Sequence, residues 1–163
     1  MRKNDPSRLF RRTRILLSKY EEDPSPLHEA IENGHTEIAL SLIEQILDMP
    51  SPNRLLENEN NTILLIAAKF NEWKIIELIL KNRIDLIRQT DKDGNNLFHL
   101  LTNFNEDKGV EMIDKLLKTF PNDIKTLLNE ENNEHQTPID IAQSNGNTQS
   151  LNLLTTFLNI GKN

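Results

Sequence analysis

The chain has 163 residues and no cysteine, which excludes disulfide cross-links and thiolate zinc sites. Only 36% of its residues are apolar and 5% are aromatic, which is lean for a globule with one deep core but enough for a stack of small units that bury their apolar faces on one another. The net charge of −6 is uneven, because residues 1–20 carry +6 and the remainder carries −12.

Residues 1–22 are predicted to form a basic amphipathic helix that starts at Asp5-Pro6, a capping residue followed by a first-turn proline. One face of this helix carries Leu9, Thr13, Leu16, Leu17 and Tyr20, and the other carries Arg8, Arg11, Arg12 and Arg14. Two interpretations stay open and are compatible. The helix covers the apolar end of the unit that follows, or it binds an anionic surface such as lipid or nucleic acid.

A helix–turn–helix pattern then recurs at intervals of 37, 34 and 41 residues, beginning at Ser25, Thr62, Asn96 and Thr137. The clearest copy spans residues 62–80. Small Ala67 lies inside its first helix, Asn71 occupies the turn in a position suited to a left-handed conformation, and the second helix is apolar at helical spacing. Recurrence of this kind indicates repeated supersecondary units.

The motifs Ser25-Pro26-Leu27-His28 and Thr137-Pro138-Ile139-Asp140 resemble the start of the ankyrin repeat, Thr-Pro-Leu-His-x-Ala-Ala. The resemblance covers residues 23–158. It implies an all-α ankyrin-repeat solenoid of helix–turn–helix units joined by short hairpin loops. The expected repeats are residues 23–56, 57–90, 91–129 and 130–160, preceded by the helix of residues 1–22 as an N-terminal cap.

Departures from the motif fall mainly in the middle of the stack. Leu65 and Asp140 replace the motif histidine, and Asn96 replaces its threonine. In the family these two motif residues form hydrogen bonds that tie neighbouring repeats together. We therefore expect a less regular stack at these positions, although the apolar positions persist.

The connections between repeats are predicted from paired apolar residues and polar tips. The pairs Leu55-Leu56, Leu86-Ile87 and Leu127-Leu128 are expected to be extended, and the polar runs after them are expected to form hairpin fingers. An insertion at residues 105–109 is expected to lengthen the turn inside the third repeat.

The sequence favours no catalytic or metal chemistry. His28 and His99 occupy the structural position of the motif, His35 lies in the turn after it, and His135 is expected in a loop with no partner nearby in sequence. No two histidines have the i, i+4 spacing of a zinc helix, and the five glycines form no phosphate loop. We expect neither an enzyme nor a metal, a cofactor or a small-molecule substrate.

The resemblance implies instead a protein–protein interaction module, such as an adaptor, an inhibitor or a host-directed effector. Partners of ankyrin repeats lie on the concave face and at the hairpin tips. Carried over to this chain, those positions are Glu32, Asn33, Glu59, Asn61, Lys69, Phe70, Lys92, Asp93, Asn95, Asn103, Phe104, Asn133, Glu134, Ser144 and Asn145. Phe70 and Phe104 are each interpreted either as binding anchors or as core residues.

The alternative function is a protein that docks on a membrane surface or a nucleic acid through the basic residues of its first helix. No apolar run reaches the roughly 18 residues of a membrane span, and no signal-peptide or lipidation pattern is present. We expect a monomer in the cytoplasm, with delivery into the cytosol of a host cell as the variant that fits an effector.

Overall fold

The computed structural model describes residues 26–48, 62–103 and 107–160, in which nine α-helices and one 3₁₀ helix occur and no β-strand. The α-helices are α1 (Pro26–Glu32), α2 (Thr36–Leu47), α3 (Ile63–Lys69), α4 (Trp73–Asn82), α5 (Leu97–Asn103), α6 (Asp107–Thr119), α7 (Pro121–Leu127), α8 (Pro138–Ser144) and α9 (Thr148–Ile160). The 3₁₀ helix is Ile84–Arg88 and follows α4.

The helices form two rows. The inner row is α1, α3, α5 and α8, and each of these helices contacts the next one in the row. The outer row is α2, α4, α6 and α9, and each outer helix packs on the inner helix that precedes it. This arrangement confirms the all-α solenoid, which here consists of four described helix pairs. We number the pairs from one to four along the chain.

The turn inside a helix pair has the same construction in the first, second and fourth pairs. Gly34, Asn71 and Gly146 have φ values of 69°, 59° and 66°. In each case the next backbone N–H donates to the carbonyl of an alanine four residues before the turn, as in His35 to Ala30 at 2.7 Å. This left-handed ending satisfies helix-end carbonyls and redirects the chain, and it confirms the left-handed Asn71.

The core follows from the same spacing in every pair. Ile75, Ile76 and Ile79 of α4 are fully buried, and Phe98 of α5 is the largest fully buried side chain among the described residues. Ala67 is also fully buried, in a helix that contacts α1, α4 and α5. Small side chains at such positions allow the inner helices to approach one another closely.

Three of the four residues at which the repeats begin cap the inner helices. The Thr62 hydroxyl accepts a hydrogen bond from Leu65 N–H, at 3.4 Å. Thr137 and Asp140 form a reciprocal capping box, and the Asn96 side chain accepts from Phe98 N–H at 3.0 Å. These bonds satisfy N–H groups that a helix leaves without an internal partner. Ser25 lies outside the described residues.

Two predictions about the connections were wrong. Leu86 and Ile87 belong to the 3₁₀ helix, and Leu127 ends α7, so neither pair is extended. In a strand, adjacent side chains point to opposite faces, whereas here both members of each pair are buried on the same core. Pro121, in the first turn of α7, further favours a helix, because its fixed φ suits that position.

The insertion was also placed incorrectly. Residues 107–109 do not lengthen the turn but form the start of α6. Asp107 in the first turn interacts favourably with the positive end of the helix dipole, and Gly109 is buried. Residues 104–106 lie outside the described residues, as do the basic segment of residues 1–22, the pair Leu55-Leu56 and the finger before Thr62.

The tight inner row predicts the effect of enlarging Ala67. We expect Ala67→Leu to lower the free energy of unfolding by about 1–3 kcal/mol, because extra methyl groups in a filled core force neighbouring side chains apart. Urea unfolding followed by circular dichroism measures the change. Lys69→Leu is the matched control, since it adds the same side chain at an exposed position of the same helix. Equal stability of the two variants would contradict the close packing of α3.

A candidate protein-binding groove

Two polar loops stand above the inner helices and have the same construction. We call residues 91–95 the third finger and residues 132–136 the fourth finger. In each, the first and last residues are joined by a backbone hydrogen bond of 2.9 Å, Asp91 N–H to Asn95 O and Asn132 N–H to Gln136 O. The side-chain oxygens of Asp91 and Asn132 each accept two further backbone N–H groups of their own finger. A side chain thus holds each turn from inside.

Hydrogen bonds lock the two fingers together. The Asn132 amide donates to Asn95 Oδ1 at 2.8 Å. Asn133 donates twice to the third finger, from its backbone N–H to Asp93 O at 3.0 Å and from its side chain to Lys92 O at 3.1 Å. The fingers therefore form one rigid wall that spans two helix pairs.

The opposite wall consists of the ends of α5 and α8. There the Asn145 amide donates to Asn103 Oδ1 at 2.9 Å, across a separation of 42 residues in sequence. Half-buried Leu100 and Ile141 lie between the two walls. The cavity between the walls has a volume of about 400 Å³ and is open to solvent. It is a groove with an apolar floor and amide-rich sides.

Asn96 connects the third and fourth pairs beneath the groove. Its Oδ1 caps α5, while its Nδ2 donates to Leu127 O at 2.8 Å and to Glu130 Oε2 at 3.2 Å. A threonine hydroxyl could cap the helix and donate one bond, whereas the asparagine side chain has an acceptor oxygen and two donor hydrogens, so Asn96 caps α5 and donates to two partners at once. The replacement expected to loosen the stack instead ties it together.

His99 makes a second connection. Its Nδ1 accepts from Asn96 N–H at 3.1 Å, so its Nε2 carries the proton and donates to Gln136 O at 3.0 Å. Burial lowers the pKa of His99, and the hydrogen bond to Gln136 and the charges of Asp91 and Glu130 only partly oppose this. The imidazole is thus held neutral in a structural bond, as expected from its motif position.

The groove is acidic at its edge. Asp93 and Glu134 lie exposed at matching positions of the two fingers, and Lys92 is exposed on the third finger beside Asp93. Within the described ranges no group of three His, Asp or Glu side chains is arranged to hold a metal ion. None of the described helices is long and apolar enough to cross a membrane.

One family model, described as Ankyrin repeats (3 copies), matches residues 11–90. This match assigns residues 11–90 to the ankyrin repeat family. The third and fourth helix pairs, outside that match, have the same inner and outer arrangement. The ankyrin fold therefore extends to Ile160 at the end of α9.

Comparisons with individual proteins agree with this assignment. The chain is 26% identical to ankyrin repeat protein FPV031 of Fowlpox virus (strain NVSL) over 88% of its own length, and it spans 50% of that relative. The crystal structure of the ankyrin repeat protein EF0377 superposes with a TM-score of 0.56 at 16% identity, covering 91% of this chain and 89% of that one.

A weaker structural match comes from Bdellovibrio bacteriovorus. A chain in the structure of the predatory endopeptidase Bd0816 in complex with immunity protein Bd3460 gives a TM-score of 0.41 at 18% identity, over 88% of this chain and 90% of that chain. This score is too low to support an argument about fold or function.

Seven of the residues expected to bind a partner line the one groove: Asp93, Asn95, Asn103, Asn133, Glu134, Ser144 and Asn145. Lys92 lies on the wall of the groove but does not line the cavity. Glu32 and Asn33, at the end of α1, and Lys69 and Phe70, at the end of α3, are exposed outside it. Glu59, Asn61 and Phe104 lie outside the described residues.

Five lining residues escaped the sequence analysis: His99, Leu100, Asn132, Gln136 and Ile141. Asn132 and Gln136 occupy the finger positions equivalent to those of Asp91 and Asn95. Alignment of the two finger sequences could therefore have identified them as lining residues.

His135 was expected to have no partner nearby in sequence, but its Nδ1 lies 3.3 Å from Glu131 Oε2. That pair is exposed and spans a single turn of chain.

The geometry of the fingers predicts that alanine is more destabilising at Gly94 than at Gly34. Gly94 has a φ of 77°, and a Cβ added there would meet Asn133 Oδ1 at 2.8 Å and Asn133 N at 3.0 Å. Gly34 has a φ of 69° but open space around the same position. Both alanine variants bear the left-handed penalty of about 1–2 kcal/mol, and only Gly94→Ala also pushes the fingers apart. Thermal unfolding should show a larger loss for Gly94→Ala, and equal losses would contradict the close contact.

The His99 bonds predict a pH dependence of stability. Because the pKa of His99 is lowered in the folded protein, the unfolded chain binds the proton more readily, and the free energy of unfolding falls as pH drops below about 6.5. We expect His99→Gln to flatten this slope between pH 7 and 5, measured as urea midpoints at each pH. His35→Gln is the control, since His35 is exposed. A slope unchanged by His99→Gln would contradict a neutral buried imidazole.

Proposed function

We propose that this chain acts as a non-catalytic binding module that holds another protein in the groove between its third and fourth helix pairs. The observation that carries the proposal is the convergence of Asp93, Asn95, Asn103, Asn133, Glu134, Ser144 and Asn145, from separate repeats, on one open groove. Ankyrin repeats are protein-interaction modules in general, and fold alone does not identify the site or the partner.

The physical properties of the groove favour recognition. Its walls are fixed by hydrogen bonds before any partner arrives, so little conformational entropy is lost on binding. Its amides offer donors and acceptors, and its floor offers apolar contact at Leu100 and Ile141. Small patches of this composition, with an apolar centre and a polar rim, suit a protein partner.

Phe70 supports an extension of the contact toward the second pair. Its side chain is 40% exposed at the end of α3, which favours the anchor interpretation over the core interpretation. Exposed aromatic rings on a rigid scaffold provide large apolar area at low rotamer cost. Phe104 lies outside the described residues, so its role as a binding anchor or a core residue stays a prediction.

The finer role is proposed from the family and from the viral relative. An adaptor, an inhibitor and a host-directed effector each require only binding, in the cytoplasm or in the cytosol of a host cell. The resemblance to a fowlpox virus protein supports the effector. Docking of residues 1–22 on an anionic surface stays a separate prediction, because those residues are not described.

Site-specific crosslinking tests the proposed groove. A photoreactive benzophenone residue at Ser144 should crosslink a partner from lysate, because that side chain is exposed at the groove. The same group at exposed Glu111, on outer helix α6, is the matched control. We expect Asp93→Arg combined with Asn103→Trp, which fill the groove, to abolish the Ser144 crosslink. Mass spectrometry identifies the captured protein.

Two outcomes would contradict the groove as the binding site. One is capture at Glu111 with none at Ser144, and the other is a Ser144 crosslink that survives groove filling. Phe70→Ala in the same assay tests the second anchor. A lower crosslink yield with an unchanged melting temperature supports it, and an unchanged yield removes Phe70 from the site.

A further inference from the structure

The acidic residues of the two fingers occupy one repeated position. Asp93 and Glu134 each lie two residues after the residue that holds the turn, and three residues before the cap of the next inner helix. In the sequence an acidic residue also stands three residues before the start of the other two units: Glu59 before Thr62, and Glu22, the last residue of the segment 1–22, before Ser25. The recurrence of a carboxylate at this spacing before all four starts is a pattern of the sequence.

Neither carboxylate has a bonding partner among the residues that the structure describes. The fingers are held by Asp91, Asn132 and Asn133, and no hydrogen bond or ion pair of the described structure involves the side chain of Asp93 or Glu134. Both are exposed at the edge of the groove. A partner with positive charge at matching positions would pair with them without breaking any existing contact.

The groove also offers unused amide groups. Asn103 accepts and Asn145 donates in their mutual bond, which leaves the Nδ2 of Asn103 and the Oδ1 of Asn145 without a partner in the part of the chain that the structure describes. Ser144 is exposed beside them. Amide and hydroxyl groups of this kind suit a partner whose own backbone N–H and C=O groups are free, which means an extended chain rather than a helix.

The spacing of the repeats selects the type of extended chain. Packed helices lie about 8–10 Å apart, so equivalent finger positions on adjacent pairs are separated by about that distance. A polyproline II segment rises about 3.1 Å per residue with three residues per turn, so residues i and i+3 lie on one side, about 9 Å apart. A β-strand places residues i and i+3 on opposite sides.

We propose that the groove binds an extended, polyproline II-like segment of the partner that carries arginine or lysine at every third residue. Two successive basic side chains pair with Asp93 and Glu134, and the backbone between them bonds to the amides at Asn103 and Asn145. The inference rests on the proposed function and names the chemistry of the partner. Arginine fits best, because its planar guanidinium pairs with a carboxylate through two parallel hydrogen bonds.

A synthetic probe tests the register. The probe is a fluorescent nonapeptide of proline and serine with arginine at its third and sixth residues, titrated with the full chain at low salt. An isomer with arginine at the third and fifth residues has the same charge and composition. We expect the isomer to bind at least fivefold more weakly than the probe. Added salt should weaken binding of the probe, because salt screens exposed charge pairs.

Paired substitutions in the protein locate the contact. The double variant Asp93→Asn with Glu134→Gln should bind the probe about five- to tenfold more weakly, which is the loss expected for two exposed ion pairs. Asp48→Asn with Glu111→Gln is the matched control, because it removes the same two charges from exposed positions away from the groove. This control should bind the probe as the unmodified chain does.

Lys92→Glu gives a result that misfolding cannot imitate. It places a further carboxylate beside Asp93 and removes the only basic side chain of the third finger, so the probe should bind more tightly. Equal binding of the two isomers, or full affinity after loss of both carboxylates, would overturn the inference. A Ser144 crosslink that persisted in that case would leave the proposed groove standing with a different partner chemistry.

Discussion

The shortness of the inner helices is the constraint on which the rest of the structure depends. Each of the four has seven residues, two turns of helix, and an isolated helix of that length is not stable in water. Such helices persist only when both ends are satisfied and both sides are packed. The left-handed turns, the capping side chains and the buried isoleucines each supply one of these requirements, and each pair depends on the next for the remainder.

The groove is a product of the same constraint. Each finger connects an inner helix to the previous pair, so a rigid finger helps to hold that short helix in place. The side-chain amides of Asn132 and Asn133 make the two fingers rigid by bonding them together. Rigid fingers held away from the helix ends leave a gap, which is lined by bonded side chains such as His99 and Asn132 and by exposed ones such as Ser144. The carboxylates of Asp93 and Glu134 at the edge of the gap are exposed to a partner. The carboxylate of Asp91 instead accepts hydrogen bonds from the backbone of its own finger.

The sequence predicted those features of the fold that depend on residues close together in the chain. The position of Asn71 and the caps at Thr62 and Thr137 follow from turn chemistry and capping preferences that act over a few residues. The 3₁₀ helix at Ile84–Arg88 was missed, because a pair of apolar residues is equally compatible with a strand until the position of the core is known.

The site was only partly accessible to sequence for a related reason. The finger positions could be aligned, so Asp93, Asn95 and Glu134 were identified. The bond from Asn132 to Asn95 joins residues 37 apart, and nothing local to either residue indicates it. Asn96 shows the opposite case. The sequence suggested that asparagine in place of the motif threonine would weaken the contact between repeats. The side chain instead donates to Leu127 and Glu130, and neither partner is close to Asn96 in sequence.

The bonds between the fingers bear on how the solenoid opens. In a linear stack each interface opens with its own free energy, and the least stable unit at an end frays first. Here Asn132, Asn133, Asn96 and His99 all cross the boundary between the third and fourth pairs. We therefore expect the third and fourth pairs to exchange their amide hydrogens as a single cooperative unit.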